Sequence, residues 1–156
     1  MDSKFLDVNA IAVFLDESHI GHPFLREAVM PGFRGDFRLL LSSYLLIRAR
    51  WVLVSRWAVA PQEADTAVGA LAGIRSPTYV SGDGRVVVKA LELAGETGHD
   101  MYDCFIVALA ASGGATHLIT TDMALRYVCE ALDVEYENPV PREVLQQFGI
   151  SGRPSS

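Results

Sequence analysis

The stretch from Gly98 to Asp122, GHDMYDCFIVALAASGGATHLITTD, constrains the fold more than any other part of this chain. Cys104 to Ala111 is apolar on every side, and a helix apolar all round belongs inside a fold, packed on both flanks. Gly113-Gly114 stops it as C-cap glycines do, and His117-Leu118-Ile119-Thr120-Thr121 follows as a short strand. The unit carries acids at both ends: Asp100 and Asp103 open the helix, and Asp122 closes the strand. In a parallel sheet, ligands gather just beyond the carboxyl ends of the strands, and Asp122 stands at such a point. Each acid taken singly has an ordinary role. Asp100 can N-cap the helix, with Asp103 completing a rough capping box, and Asp122 can cap a helix starting at Met123.

The start of the chain adds a further carboxylate. Lys4 to Val8 reads as a short buried strand ended by Asp7-Val8-Asn9, with Asn9 the N-cap of a helix from Ala10 to Asp16. Asp7 lies within the apolar run, ahead of that cap, where capping is awkward. Further on, the pattern predicts helices at Phe24–Met30, Tyr44 to about Ala60 (capped by Ser42-Ser43), Gln62–Ala72 and Arg85 to about Gly95. Strands are predicted at Arg38–Leu41 and Thr78–Val80. A helix from Met123 to Leu132, a strand at Val134–Tyr136, a rigid turn at Asn138–Pro141 and a helix from Arg142 to Phe148 close the chain. Short strands alternating with helices predict a three-layer α/β/α domain with a short central parallel sheet. One domain over residues 1–150 and a loose tail over 151–156 are expected.

Composition removes several classes. Half of the residues are hydrophobic and 21% are charged, which suits a globular domain. No apolar run reaches the roughly 18 residues of a membrane span, and MDSKFLDVNA lacks a secretory core, so a cytoplasmic protein without membrane contact is expected. Cys104 and Cys129 sit in apolar helical contexts and read as core. His19, His22, His99 and His117 form no zinc pattern. The net charge of −6 argues against a non-specific nucleic-acid binder. Even so, residues 34–56 carry Arg34, Arg38, Arg48, Arg50 and Arg56 against Asp36 alone. Such a segment either touches phosphates or balances acidic neighbours as a solvated face.

Asp7, Asp103 and Asp122 share a geometry: strand end, helix start, strand end. In an open parallel sheet these positions converge on one crevice. Carboxylates brought that close repel, and at least one is protonated unless a cation intervenes. Mg²⁺ or Mn²⁺ takes oxygen ligands, polarises phosphoryl groups and acidifies water, so phosphodiester hydrolysis is the matching chemistry.

The sequence resembles the PIN-domain family of metal-dependent ribonucleases, which includes the VapC-like toxins of toxin–antitoxin pairs. The resemblance runs from Phe5 to about Phe148. It is carried by Phe5-Leu6-Asp7-Val8-Asn9, Gly21-His22-Pro23-Phe24, Tyr102-Asp103-Cys104 leading into Ala108-Leu109-Ala110, and Gly114-Ala115-Thr116 through Thr120-Thr121-Asp122. The Tyr136–Pro141 stretch looks like archaeal members. The resemblance implies Asp7, Asp103 and Asp122 as catalytic, metal-binding acids, with Asn9 supporting the first. It implies Thr120 or Thr121 as an orienting hydroxyl and Ser43 as a small polar neighbour of the site. It also implies an RNA substrate, an antitoxin partner and a homodimer, for which the apolar segment from Trp51 to Val59 offers a surface.

One departure stands out. Family members carry a further glutamate on the helix after the second strand, and here Arg48 stands about there, with no Asp or Glu from Phe37 to Gln62. Three readings follow. The three acids hold one metal, with Asp100 added from the same helix face; or Arg48 replaces the metal by forking onto the carboxylates; or Arg48, with Arg50 and Arg56, contacts RNA phosphate. The second leaves a catalytically silent domain that serves as a binding or assembly module. A haloacid-dehalogenase-like phosphohydrolase using Asp7 ranks below these, because Ala10-Ile11-Ala12 offers no threonine-rich turn.

Overall fold

The computed structural model describes residues 1–148; the predicted tail at 151–156 lies outside the described residues. Strands β1 (Ser3–Leu6), β2 (Arg38–Leu41), β3 (Thr78–Tyr79), β4 (His117–Ile119) and β5 (Glu135–Glu137) pair in parallel in the order β3-β2-β1-β4-β5. Phe5 and Leu6, Leu39 to Leu41, and Leu118 and Ile119 are buried at consecutive positions. Successive strand side chains point to opposite faces, so both faces of the sheet are covered. The helices are α1 (Val8–Leu15), α2 (His22–Phe33), α3 (Ser43–Trp51), α4 (Pro61–Ala72), α5 (Gly84–Thr97), α6 (Met101–Ser112), α7 (Leu125–Ala131) and α8 (Arg142–Leu145). Helix α1 packs on α2 and α3, and α3 on α4, while α6 packs on α5 and α7. The result is the expected α/β/α arrangement. No helix among the described residues is long and apolar enough to cross a membrane.

The chain adds β2 and then β3 on one side of β1, and β4 and then β5 on the other. The order therefore reverses between β1 and β4. That is where a parallel sheet opens a crevice for ligands.

Helix α2 outruns the expected Phe24–Met30 at both ends, carrying Pro31 inside it, β5 lies one residue later than expected and α8 stops at Leu145; four further boundaries differ for a local reason. Helix α1 begins at Val8, because Asp7 is extended (φ −73°, ψ 163°) and its own side chain accepts from the Val8 N–H. Asp7 is thus the N-cap, and Asn9 lies inside the first turn. Ser43 is already the first residue of α3; Ser42 is the flanking cap and makes no side-chain capping bond. The predicted long helix is α-helical only to Trp51, widens into a π-helical turn over Val52–Arg56, and ends at Trp57 before Ala58 turns left-handed (φ 56°). Finally, β4 ends at Ile119 and α7 begins at Leu125, leaving Asp122 in the connecting loop.

The segment expected to offer an apolar surface is largely core. Val52, Leu53, Trp57 and Val59 are buried, whereas Tyr44, Ile47 and Trp51 are the exposed large apolar residues of α3. Cys104 and Cys129 are buried free thiols, as expected.

Helix α6 is buried along Cys104 and Ile106–Ala110 and stops at Gly113, with Gly114 left-handed (φ 79°). Gly113 is needed for space, not for backbone freedom. Its φ is −86°, but an added Cβ would stand 2.5 Å from Cγ2 of Val80. We expect Gly113→Ala to destabilise the fold by about 1–3 kcal/mol through overpacking; urea unfolding of the two proteins measures it.

Candidate active site

The crevice between β1 and β4 is built around Asp7. Its side chain is 3% exposed. Oδ1 accepts from the Val8 N–H at 2.7 Å, and Oδ2 accepts from the Thr120 hydroxyl at 2.9 Å. The same hydroxyl accepts from the Asp122 N–H at 3.0 Å, and Asp122 Oδ1 accepts from the Ala124 N–H at 2.9 Å. Thr120, fully buried, therefore ties the end of β1 to the loop carrying Asp122. Of the two threonines, it is Thr120 that supplies the orienting hydroxyl. Thr121 instead lines a neighbouring cavity of about 350 Å³ with Asn9, Trp57 and Asp122.

Asp103 comes from the first turn of α6. Asp100 caps that helix as predicted, its Oδ2 accepting from the Asp103 N–H at 3.1 Å. Burial pushes the Asp7 carboxyl up to about 6, against the pull of its two hydrogen bonds and with a further push from Asp122 and Asp103. Burial also pushes Asp103 up to about 6, helped by Asp122 and Asp100 and opposed by His99. Among the described residues, no lysine or arginine forms an ion pair with Asp7, Asp103 or Asp122; the four ion pairs lie elsewhere. Asp122 thus adds to the upward push on both Asp7 and Asp103, and at Asp103 His99 offsets part of it.

The donor chemistry fits a hard divalent cation, since only oxygens are presented. Each Asp7 oxygen uses one lone pair in its hydrogen bond and keeps another free. The arrangement is open, however. Among the described residues, no three His, Cys, Asp or Glu side chains are gathered to hold an ion as they stand.

Thr120→Val keeps the shape at this position but removes the donor to Asp7 and the acceptor for the Asp122 N–H. The Asp7 carboxyl should then titrate above about 6, since the lost bond is one that lowers it. Stability should fall by about 1–3 kcal/mol for the unpaired N–H. Carboxyl-carbon NMR across pH, together with urea unfolding, reads both effects.

Arg48 does not fork onto the acids. Its guanidinium lies 5.2 Å from the Trp51 ring centroid and 5.8 Å from that of Tyr102. Its Nε–H and the hydroxyl hydrogen of Tyr102 are both buried without an acceptor. Burial and the nearby Asp7 charge hold the Tyr102 phenol above its ordinary range, while the Arg48 guanidinium, within hydrogen-bonding reach of the phenol oxygen, pulls the other way by that contact and by its charge. Arg50 is tied to α4 by a 2.8 Å bond from Nε to Asp65. Arg56 lies 5.4 Å from the Trp51 ring, and Ser43 is exposed at the start of α3. Tyr102 had no assigned role in the sequence. Its position beside Asp103 was the only signal, and it says nothing about where the hydroxyl ends.

No family model and no curated protein matches the sequence. Solved structures do share its architecture. A chain of VapBC2 from Rickettsia felis, bound to a promoter DNA fragment, superposes with a TM-score of 0.66 at 11% identity, covering 87% of this chain and 98% of that one. DNA-bound VapBC from Salmonella typhimurium gives 0.62 at 17% identity, with 88% and 98% covered. VapC20 from Mycobacterium tuberculosis, a toxin that cleaves the sarcin–ricin loop, gives 0.59 at 16% identity, with 80% and 93% covered. The chain has the PIN-like fold of these VapC toxins.

Proposed function

We propose that this protein is a divalent-metal-dependent endoribonuclease and the toxin of a toxin–antitoxin pair. One observation carries the reading: at the switch point of a PIN-like sheet, Asp7 and Asp103 both have their carboxyls pushed up to about 6, by burial and by the charge of neighbouring acids that include Asp122, and no lysine or arginine among the described residues pairs with any of the three. Three mutually repelling carboxylates in a crevice are stabilised by a cation. Asp7, Asp103 and Asp122 would hold Mg²⁺ or Mn²⁺, with Asp100 one turn away as a further oxygen donor. A divalent ion there supplies Lewis-acid polarisation of the scissile phosphodiester and acidifies the attacking water. The protein's own contribution is positioning. Thr120 fixes the rotamer of Asp7 and the loop of Asp122 through one hydroxyl, and the capped first turn of α6 presents Asp103.

Partners follow from the same reading. The structural neighbours include VapBC assemblies, which supports an antitoxin for this chain. The exposed Tyr44, Ile47 and Trp51 on α3 offer an apolar face for a homodimer. A second reading, a catalytically silent PIN-like domain that binds or assembles, is favoured by one observation. Arg48 stands where the family carries a glutamate, and it brings positive charge without ligating oxygen.

Mn²⁺ calorimetry with a parallel RNA-cleavage assay separates the two. Binding of one ion, and cleavage that is lost on chelation and in Asp122→Asn, supports the nuclease. Absence of both in the wild type establishes the silent domain.

A further inference from the structure

Two buried groups whose hydrogens have no acceptor sit side by side within reach of the Asp7 charge: Nε of Arg48 and the hydroxyl of Tyr102, whose oxygen faces the same guanidinium. Leaving a buried donor unpaired costs about 1–3 kcal/mol, so two at one place mark a position where a ligand's acceptors belong. The Arg48 guanidinium is also pinned, lying against Trp51 at 5.2 Å and Tyr102 at 5.8 Å. An arginine serving only as surface charge extends into water; this one is held in place at its aromatic neighbours. It forms no ion pair among the described residues, so its charge is not spent on a protein carboxylate.

We propose that Arg48 and Tyr102 form an anion seat that binds a non-bridging oxygen of the RNA phosphate delivered to the acids. The seat rests on the ribonuclease reading only for the identity of the anion. In charge terms, it offsets the repulsion that Asp7, Asp103 and Asp122 exert on an incoming phosphate. Arg48 is therefore a substrate-binding residue at a position where the resemblance leads one to expect an ion ligand, and Tyr102 is its neutral partner.

The test is the affinity of the full chain for a short fluorescein-labelled single-stranded RNA, followed by anisotropy in Ca²⁺ across a salt series. Mn²⁺ calorimetry is run on the same proteins. Arg48→Met should weaken RNA binding by about tenfold or more, the scale of a charge-assisted bond. It should also flatten the salt slope by about 0.7, the contribution of one phosphate contact to a single strand. Tyr102→Phe, which keeps the ring and the packing, should weaken binding about fivefold with the slope unchanged. Arg48→Lys should recover the slope but only part of the affinity, because an ammonium is a point charge without the guanidinium fork. Mn²⁺ affinity should change less than twofold in Tyr102→Phe, on the order of what a neutral side chain outside the ligand set implies. Wild-type RNA affinity and slope in both Arg48→Met and Tyr102→Phe would overturn the seat. If those losses appear in a protein that never cleaves RNA, the seat stands and the nuclease reading falls. Metal-dependent cleavage with RNA binding indifferent to both substitutions gives the reverse.

Discussion

Asp7→Asn should leave a protein that is more stable and inactive. The carboxyl of Asp7 titrates at about 6 in the fold against 3.8 when free, because it is buried among other acids. The folded state therefore holds that proton more tightly than the unfolded chain does. The stability associated with this group is greatest below pH 4 and is lost as the pH rises through about 6. Above that, holding the charge costs up to about 3 kcal/mol, and an asparagine carries no such cost. Asparagine also caps helices well, and its amide can donate to the Thr120 oxygen. We expect a gain of about 2 kcal/mol at pH 7.5, or about 4–8 °C in Tm. The gain should shrink to nothing below pH 4, where the wild-type carboxyl is neutral too. Saturating Mn²⁺ should raise the Tm of the wild type and not of the variant. Cleavage should fall by about a thousandfold or more, as when a main electrostatic contributor is lost. Thermal scans from pH 4 to 8 with and without Mn²⁺, beside RNA cleavage, read all of this. A variant less stable than the wild type at pH 7.5 would contradict the assigned burden of Asp7.

Arg48→Glu should restore an ion ligand at the cost of the substrate contact. The substitution replaces a cation by an anion beside Tyr102, which itself feels the charge of Asp7. A reversal of two charges within several ångströms is worth enough to raise Mn²⁺ affinity by about tenfold to a hundredfold. The same change should lower RNA affinity and make the metal-free protein less stable, because a further carboxylate joins Asp7 and Asp103, whose charged forms burial already disfavours. Calorimetry with Mn²⁺ decides it. An unchanged affinity would place residue 48 outside the reach of the ion and remove the explanation for its departure from the family pattern.

The sequence showed the layers of the fold more clearly than their joints. Runs such as Leu39-Leu40-Leu41 and the apolar α6 declare burial on both sides, so a covered parallel sheet follows from them directly. The order of the strands does not, because it depends on which neighbours each run meets in three dimensions. Asp7 and Asp122 were legible as strand-end acids, but their exact settings were not. Val8 prolongs an apolar run that looks extended, and only the Asp7 side chain closing on the Val8 N–H starts the helix there. Thr120 and Thr121 favour strands, which hides the point where β4 stops. The π-helical turn was invisible because Val52–Val59 contains no glycine or proline to mark where the α-helix gives way. For Arg50 the sequence left open a phosphate or an acidic neighbour, and only the packing of α3 on α4 brings Asp65 to it. The setting of the Tyr102 hydroxyl beside Arg48 depends on where a ring ends, which no spacing encodes.

The bond from Thr120 to Asp7 joins residues 113 apart in the chain. A ribosome adding roughly 5–20 residues per second makes Asp7 early and reaches Thr120 only after several seconds more. Until β4 emerges, the central strand has one edge unpaired and Asp7 lacks the hydroxyl that sets its rotamer. Asp103 and Asp122 are also late arrivals, so an unfinished chain that stops before β4 carries no assembled acid crevice. If the chain is the nuclease proposed above, a cell translating it is spared that activity during most of its synthesis, and the interval before completion is time in which a partner can be waiting.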